Sequence, residues 1–319
     1  MKICIIVCWF GKLPNYFELW KKSCLYNKDY DFLLITDQDY SIKEKNIKII
    51  KMELEELKKL INNKLKLNIK FIKPYKICDF RPAFGVIFKE YLQSYEFWGH
   101  CDIDQIFGNL SDFINDDLLK SYDKINRNGH FTLYRNCEKI NNLFRSQKCK
   151  FYFEEVFNSN ENYAFDEYTG IDYIAKQEKI KEKDITLFAD ISVKHKRYKI
   201  VQLNNYKIQS FIWDNGKLYR IYKENNNDIK MEEMMYIHFQ KKIPNVEIKN
   251  NMYKSLIIGS QYIKKIDSEN ISEEDIIKSN PYQGTIYENI EKIKYIVFKV
   301  KQFLKSSINK KCIWIKQKI

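Results

Sequence analysis

The sequence predicts an α/β fold in which helices flank a mostly parallel sheet. Two apolar segments, 3–9 and 32–36, are typical of strands buried on both faces. Segments 16–25 and 52–65 carry apolar residues at helical spacing, and a short strand is predicted at 47–50. This alternation of strands and helices is typical of a wound α/β sheet. A hydrophobic content of 45% in 319 residues is enough for a large core.

The later elements are predicted in chain order. Helices are expected at 76–92, at 112–119 and after Gly170 through Ile174. Segment 95–98 is expected to lead into a strand that runs to Asp102, and further strands are expected at 130–134, 200–203, 217–222 and 234–239. Segment 224–230 is predicted to be a loop, and 244–283 to be irregular and polar. We expect one main domain over 1–245 and an extension over 246–319 that ends in a basic helix.

The charge is concentrated at the carboxyl end of the sequence. The net charge is +13, and after Glu291 there are nine Lys and no acidic residue. Within this tail Ile293, Ile296, Val297, Val300, Phe303 and Leu304 recur at helical spacing, and Trp314 lies between two Ile. A basic amphipathic helix that docks on an anionic membrane surface is predicted. Packing of this helix against the core, and a compositional bias of an AT-rich genome, are the alternatives.

The cysteines and the hydropathy indicate the compartment. None of the eight Cys forms a CxxC pair, which argues against a zinc ribbon. The first eight residues are too short for a signal peptide, and no apolar run reaches about 18 residues. We therefore expect a cytoplasmic protein that attaches peripherally to the inner face of the plasma membrane.

Asp102-Ile103-Asp104 is the motif that carries the predicted chemistry. It follows an apolar strand, where two Asp at i and i+2 can direct oxygens at one hard cation. Such a cation offsets the charge that develops on a departing diphosphate. An Asp-x-Asp alone is frequent by chance, and the strand before it is what gives it weight. No P-loop, dinucleotide fingerprint, zincin or nucleophile-elbow motif is present.

Segments 73–85 and 97–108 resemble a family of bacterial GT-A-type glycosyltransferases encoded among genes for capsule and other surface polysaccharides. Their layout is also similar to that of glycosyltransferase families 8 and 32. The resemblance covers residues 1–245 and implies a GT-A catalytic domain that uses a nucleotide sugar. The Gly-Gly that precedes the metal motif in families 8 and 32 is missing here, which leaves the stereochemical outcome open, with inversion favoured.

The resemblance implies a metal site for Mn²⁺ or Mg²⁺. Asp102 and Asp104 match the metal ligands, with Asp102 also near the donor ribose, and His238 matches a third ligand. Lys241 matches a lysine that contacts the diphosphate. One imidazole with two carboxylates suits Mn²⁺. A buried histidine of the core is the alternative for His238.

Other positions are implied to bind the UDP-sugar. Asp79 matches a residue that holds the nucleotide or donor sugar, and Lys76 and Arg81 lie near the phosphates in this alignment; a surface ion pair is the alternative. Asp37 ends the second predicted strand, where wound sheets bind ligands, and is expected to grip uracil or ribose unless it only forms a turn. Phe10 begins a loop that is expected to cover the base.

Asp166 and Glu167 are the candidates for the catalytic base. An inverting transferase needs one carboxylate that removes the proton of the acceptor hydroxyl. Either residue fits, and a helix cap is the alternative for Asp166. In a retaining enzyme the pair would bind sugar hydroxyls instead. His100, His130 and His195 are expected to be structural.

The sequence therefore predicts transfer of a galactose-type or glucose-type hexose from a UDP-sugar to a growing surface glycan of capsule or lipopolysaccharide type. A lipid-linked oligosaccharide is the expected acceptor. No nucleic-acid partner is expected, because the second carboxylate cluster of a nuclease is not evident. Two alternatives remain: a non-catalytic basic module that binds glycans or membranes through a degenerate site, and a metal-dependent phosphoesterase.

Overall fold

Strand β1, Ile3–Trp9, is an interior strand of the first sheet, with a parallel neighbour on each side. The computed structural model describes residues 1–40, 44–70, 73–224, 228–248 and 253–316, with side chains of the last helix described up to Gln302. Its contacts group the chain into two compact units. The first unit comprises Met1–Phe188, Asn215–Leu218 and Glu233–His238, and the second comprises Ala189–Asp214, Tyr219–Glu232 and Phe239–Ile319.

The first unit contains a seven-stranded sheet between helices. Strand order is β3-β2-β1-β4-β7-β6-β8. Four neighbouring pairs are parallel, and β7 is antiparallel to both of its neighbours. The predicted mostly parallel α/β sheet is therefore confirmed. The strands of the first 188 residues are β1 Ile3–Trp9, β2 Tyr30–Thr36, β3 Ile47–Lys51, β4 Phe97–Cys101, β5 Gln105–Phe107, β6 Lys124–Asn128, β7 Phe131–Arg135 and β8 Glu182–Lys183. Of these, β5 lies outside the seven-stranded sheet. The helices are α1 Phe17–Tyr26, α2 Leu54–Leu65, α3 Ile77–Phe80, α4 Phe84–Ile87, α5 Asp116–Ser121, α6 Glu138–Asn141, α7 Phe153–Asn158 and α8 Ile171–Gln177.

Alternating side chains of the central strands build a core on each face of this sheet. Cys4 and Ile6 of β1 join the cluster that contains Trp98, Tyr134 and the apolar side of α8. Ile5 and Val7 join the opposite cluster. Both faces of β1 are apolar because both are covered, which is why its sequence is a continuous apolar run.

The second unit contains most of a six-stranded sheet and the last two helices. Strand order in this sheet is β12-β11-β10-β15-β16-β14. The remaining strands of the chain are β9 Ala189–Asp190, β10 Ile208–Asp214, β11 Lys217–Lys223, β12 Ile229–Met234, β13 Tyr236–His238, β14 Asn245–Val246, β15 Ser255–Ile258 and β16 Tyr262–Lys265. The helices are α9 Glu273–Ser279 and α10 Thr285–Lys316.

The single helix predicted over 76–92 is wrong. The segment is a series of one-turn pieces, α3 and α4 with 3₁₀ turns before, between and after them. Pro82 lies in the middle turn. A proline has no N–H to donate and clashes with the carbonyl four residues earlier, so a continuous helix cannot pass through it.

Two predictions for the second unit are also wrong. Segment 200–203 is not a strand: only Ile200 forms an isolated bridge, and the Asn205 side chain bonds both the N–H and the C=O of Ile200 at 2.7 and 2.8 Å. That side chain takes the place of a strand partner. Segment 244–283 is not irregular, since it holds β14, β15, β16 and α9. The predicted loop 224–230 ends earlier, because β12 begins at Ile229; residues 225–227 lie outside the described residues.

The predicted basic helix at the carboxyl end is confirmed as α10. Its contacts within the second unit are polar: Glu288 lies 2.9 Å from the Lys199 ammonium and 3.5 Å from the Arg197 guanidinium, and Glu291 accepts a bond from the Lys196 N–H at 2.9 Å. The apolar side chains from Ile293 to Val300 are about half exposed. The predicted Phe303, Leu304 and Trp314 side chains lie outside the described residues. Among the residues that the structure describes, no helix is long and apolar enough to cross a membrane.

Candidate active site

The carboxyl ends of β1, β2 and β4 lie at one edge of the first sheet because these strands are parallel neighbours. The Asp37 carboxylate follows β2 and accepts the N–H of Gly11 at 2.9 and 3.0 Å, which ties it to the loop after β1. Phe10, in that loop, is partly buried against the core. Asp102 follows β4 directly. The two predicted nucleotide contacts and the predicted metal motif therefore share one edge.

His238 reaches this edge through a strand pairing. Strand β13 is antiparallel to β5, and His238 is paired with Gln105, the residue directly after Asp104. The imidazole Nε2 lies 3.6 Å from Asp102 Oδ2 and 3.5 Å from Asp104 Oδ1. The three ligand atoms lie within 4.8 Å of one another. The structure thus brings together the three residues predicted to bind a metal.

The donor set fits a divalent cation. Two oxygens and one nitrogen are ligands that Mn²⁺ accepts. Ligand atoms about 2.1 Å from one cation lie about 3 Å from each other, close to the separations observed here. Asp104 and His238 are largely buried while Asp102 is partly exposed, so the site opens towards Asp102.

Arg81 connects the metal motif to the predicted base. Its Nη2 donates to Asp102 Oδ1, and its Nη1 donates to Asp166 Oδ2 at 2.9 Å and to the Gly129 carbonyl at 2.7 Å. Burial by itself would raise the pKa of Asp102, but the Arg81 charge and the His238 contact hold that pKa well below its usual value. Asp102 is therefore a carboxylate, as a metal ligand must be.

A buried ion pair fixes the loop that carries Asp166. Asp79 is fully buried, and its carboxylate accepts bonds from the Lys76 ammonium at 2.7 Å and from the N–H groups of Tyr163 and Phe165 at 3.0 and 2.9 Å. The Lys76 ammonium also donates to the Glu161 carbonyl. All these groups are used within the protein, so Lys76 and Asp79 position the loop from inside rather than face a ligand.

Asp166 and Glu167 differ in environment. Asp166 is buried, and burial raises the pKa of its carboxyl to about 7, with Arg81 opposing and Glu167 adding to the rise. Glu167 is exposed. Both lie close to Gly129, where a Cβ would stand 2.8 Å from Glu167 Oε1 and 3.0 Å from Asp166 Oδ2. A carboxyl with a pKa near neutrality can accept and release a proton, which singles out Asp166.

Lys241 is not in the first unit with these residues. It lies in the second unit, three residues beyond His238, and both Gln240 and Lys241 have positive φ, 48° and 66°. Two successive non-glycine residues in this conformation carry a local conformational cost, which the Gln240 side chain helps to offset by donating to Asp190 at 2.7 and 2.8 Å.

Several residues of the site were missed in the sequence. His130 stacks on His238 with ring centres 4.2 Å apart, and its carbonyl accepts the Asp102 N–H at 2.9 Å. Tyr16 lies near the metal motif: burial, together with the charges of Asp104 and Asp102, raises the pKa of its hydroxyl to about 12. Only the position of Tyr16 in the segment after β1 could have suggested it. His100, expected to be structural, is fully buried.

The profile of a protein family matches most of the chain. It is the Family of unknown function (DUF6625), and the match covers residues 5–267. The chain belongs to this family. Every candidate residue of the DUF6625 site lies inside the matched span, and α10 lies outside it.

One solved structure and the curated proteins complete the comparison of this DUF6625 protein. A crystal structure of galactosyltransferase LgtC in complex with donor and acceptor sugar analogues has a TM-score of 0.35 at 11% sequence identity, over 60% of this chain and 75% of that chain. No curated protein shows significant sequence similarity.

Proposed function

We propose that this DUF6625 protein is a metal-dependent glycosyltransferase of GT-A type that transfers a hexose from a UDP-sugar. The observation that carries the proposal is the constellation at the sheet edge: Asp102, Asp104 and His238 as a set of cation ligands, joined through Arg81 to the buried carboxyl of Asp166. Strand-end carboxylates that bind one cation suit a nucleotide diphosphate, whose oxygens complete the coordination.

The residues of the site divide the reaction between them. Asp102, Asp104 and His238 would hold Mn²⁺ or Mg²⁺, which supplies charge stabilisation for the departing UDP. Asp166 accepts the proton of the acceptor hydroxyl. At the same time the oxygen of that hydroxyl bonds to the anomeric carbon of the donor sugar, and the bond from that carbon to the diphosphate breaks. This assignment gives inversion. Arg81 keeps the carboxylates of Asp102 and Asp166 a fixed distance apart, because its planar group donates to both.

The nucleotide is assigned to the β1–β2 side of the edge. Asp37 is partly exposed there and holds the Gly11 backbone, so the Phe10 loop and the carboxylate form one wall. We assign Asp37 to the uracil or ribose and Phe10 to the base; the contact of Lys241 with the diphosphate stays a prediction from the resemblance. Lys76 and Asp79 act on the donor only indirectly, through the loop that they hold.

The acceptor is assigned to a growing surface glycan on a lipid carrier. The support is α10: Glu288 and Glu291 are bound within the second unit, while most apolar side chains and the lysines of its described part, up to Gln302, are exposed. A helix with that distribution suits the surface of an anionic membrane. We propose that α10 docks there, at the inner face of the plasma membrane, and brings the site to its lipid-linked acceptor.

The test is a screen of UDP-sugars for Mn²⁺-dependent hydrolysis, with Asp102→Ala as the variant and Asp117→Ala as the control. Asp117 is an almost fully exposed carboxylate. We expect at least one UDP-sugar to be hydrolysed, with the rate lost in Asp102→Ala and kept in Asp117→Ala. Equal rates in all three proteins would contradict the proposal. A protein that binds neither UDP nor Mn²⁺ would be a non-catalytic module, and release of phosphate from simple phosphoesters would favour a phosphoesterase.

A further inference from the structure

Two tyrosine side chains in the first unit are unusually exposed. Among the described residues of that unit, Tyr168 and Tyr75 are the most exposed large hydrophobic side chains, at 68% and 61%. An exposed aromatic ring lacks the stabilisation that burial of its apolar surface would supply. Single exposed rings are common and need no explanation. These two are carried by the Asp166 turn and by a segment that contacts the loop leading into that turn, which makes them a candidate contact for a ligand.

Tyr168 lies on the turn that presents Asp166. Backbone bonds close this turn: Glu167 N–H donates to the Ala164 carbonyl at 3.0 Å, and Ile171 N–H donates to the Phe165 carbonyl at 2.8 Å. Gly170 is so close to Phe165 that a Cβ would meet the Phe165 carbonyl oxygen at 2.1 Å. The turn is therefore tightly defined, and the exposure of Tyr168 follows from the backbone.

Tyr75 lies against the same loop from the opposite segment. The Lys76 ammonium, next to it, donates to the Glu161 carbonyl, and the Asn162 amide donates to the Tyr75 carbonyl at 3.5 Å. The pKa of the Tyr75 hydroxyl is raised, first by partial burial and then by Cys78, Asp102 and Asp166. Tyr75 therefore belongs to the segment that contacts the loop before Asp166, and most of its surface meets solvent.

The chemistry of the two side chains indicates the class of ligand. A pyranose has an apolar C–H face and a polar rim of hydroxyls, which suits an amphipathic tyrosine ring beside carboxylates. The nucleotide is assigned to the β1–β2 side, at Asp37, whereas Tyr168 belongs to the Asp166 turn beside Gly129. Both tyrosines therefore belong to the segments around the proposed catalytic base Asp166, to which an acceptor hydroxyl must be delivered.

We propose that Tyr75 and Tyr168 form the platform on which the acceptor sugar stacks. The inference rests on the proposed function and adds the acceptor subsite to it. A pyranose held on these rings directs a hydroxyl at Asp166, so the platform binds and orients the acceptor without taking part in the chemistry.

The experiment measures binding of free saccharides to the whole protein by saturation-transfer NMR. The probes are methyl galactoside, methyl glucoside, lactose and maltose, with UDP and Mn²⁺ titrated separately. The variants are Tyr75→Ala and Tyr168→Ala, with Tyr75→Phe and Tyr168→Phe as conservative partners. Tyr152→Ala is the matched control, because Tyr152 is 51% exposed on a different segment, just before α7.

We expect the alanine variants to bind the best probe about fivefold more weakly, since one aromatic contact contributes about 1 kcal/mol. The phenylalanine variants and Tyr152→Ala should bind it as the wild type does, and UDP affinity should be unchanged throughout. Unchanged saccharide affinity in both alanine variants, or loss of UDP affinity instead, overturns the platform. So does a wild-type protein that binds UDP but none of the four saccharides. A wild-type protein that binds neither UDP nor Mn²⁺ overturns the proposed function instead. If that protein still binds a saccharide and loses this binding in the alanine variants, the result supports the platform.

Discussion

Asp166 is a carboxyl group that burial keeps partly protonated near neutral pH, with a pKa of about 7. As a base it must be ionised, so we expect the rate of transfer to rise with pH through about 7 and then level off. Replacement by Asn keeps the acceptor for Arg81 but removes the proton acceptor. Asp166→Asn should therefore lower transfer by at least about 100-fold. Initial rates from pH 5 to 9 measure both effects, and a flat profile in the wild type would remove Asp166 from this role.

The same pKa has a consequence for stability. A carboxyl whose folded pKa lies above its unfolded value of about 3.9 binds more protons in the folded state between those two values. Its contribution therefore destabilises the fold as pH rises from about 4 to 7. Asp166→Asn removes this contribution. The Tm of the variant minus the Tm of the wild type should therefore be larger at pH 8 than at pH 5. Thermal unfolding at the two pH values measures the difference, and an unchanged difference would contradict the raised pKa.

A substitution at Gly129 tests whether the position of Asp166 affects transfer independently of the stability of the fold. A Cβ at this position would crowd Glu167 and Asp166, whose side chains can move, rather than a backbone group. We expect Gly129→Ala to lower transfer severalfold through displacement of Asp166, with little change in Tm or in Mn²⁺ affinity. Parallel measurements of rate, Tm and metal affinity test this. A large fall in Tm with normal transfer would show that the glycine serves the fold instead.

At the scale of elements, a buried ion pair ties α8 to β6. Lys124 is fully buried and lies 2.7 Å from Asp172 of α8, which is almost as buried. Removal of the Asp172 charge leaves the buried ammonium with only the more distant Glu182, 3.6 Å away, so Asp172→Asn should lower the free energy of unfolding by up to about 3 kcal/mol. The double variant Lys124→Met, Asp172→Leu should recover most of that loss, because neither side chain is charged. Urea unfolding of the wild type, Asp172→Asn and the double variant measures these differences. If the pair were only a surface contact, neither variant would change the free energy of unfolding.

The elements show how far the sequence can be interpreted. β1 and β2 were predictable because each is a continuous apolar run, and Asp102 and Asp104 could be placed at a strand end for the same reason. A single helix was wrongly predicted for 76–92 because the apolar residues there have helical spacing, although Pro82 interrupts the segment. A strand was wrongly predicted at 200–203 because the side chain of Asn205, and not a second strand, forms hydrogen bonds with the Ile200 backbone. The joining of Asp102 to Asp166 through Arg81 could not be predicted, since it depends on contacts across 85 residues of sequence between Arg81 and Asp166.

On the scale of the whole molecule, charge and amphipathicity separate the tail from the rest of the chain. Truncation after Lys292 removes eight of the nine tail lysines but keeps Glu288 and Glu291 with their partners. We expect this truncated protein to lose binding to phosphatidylglycerol vesicles and to keep Mn²⁺-dependent UDP-sugar hydrolysis. Binding of the full chain should weaken steeply with salt, because the Debye length is about 10 Å at 0.1 M and about 3 Å at 1 M. Equal binding of both proteins in vesicle sedimentation would remove α10 from this role.

The Arg81 guanidinium, which binds both Asp102 and Asp166, also suggests how active and inactive members of the family of unknown function could be distinguished. One planar group spans two carboxylates that lie on separate segments, and a lysine, which presents a point charge, cannot hold both in the same geometry. Members that carry the arginine together with both acids should turn over UDP-sugars. Members that lack one of the three should retain the sheet yet be inert, and would be candidates for binding proteins derived from an enzyme. We therefore expect this triplet of positions to separate two classes of protein within one family.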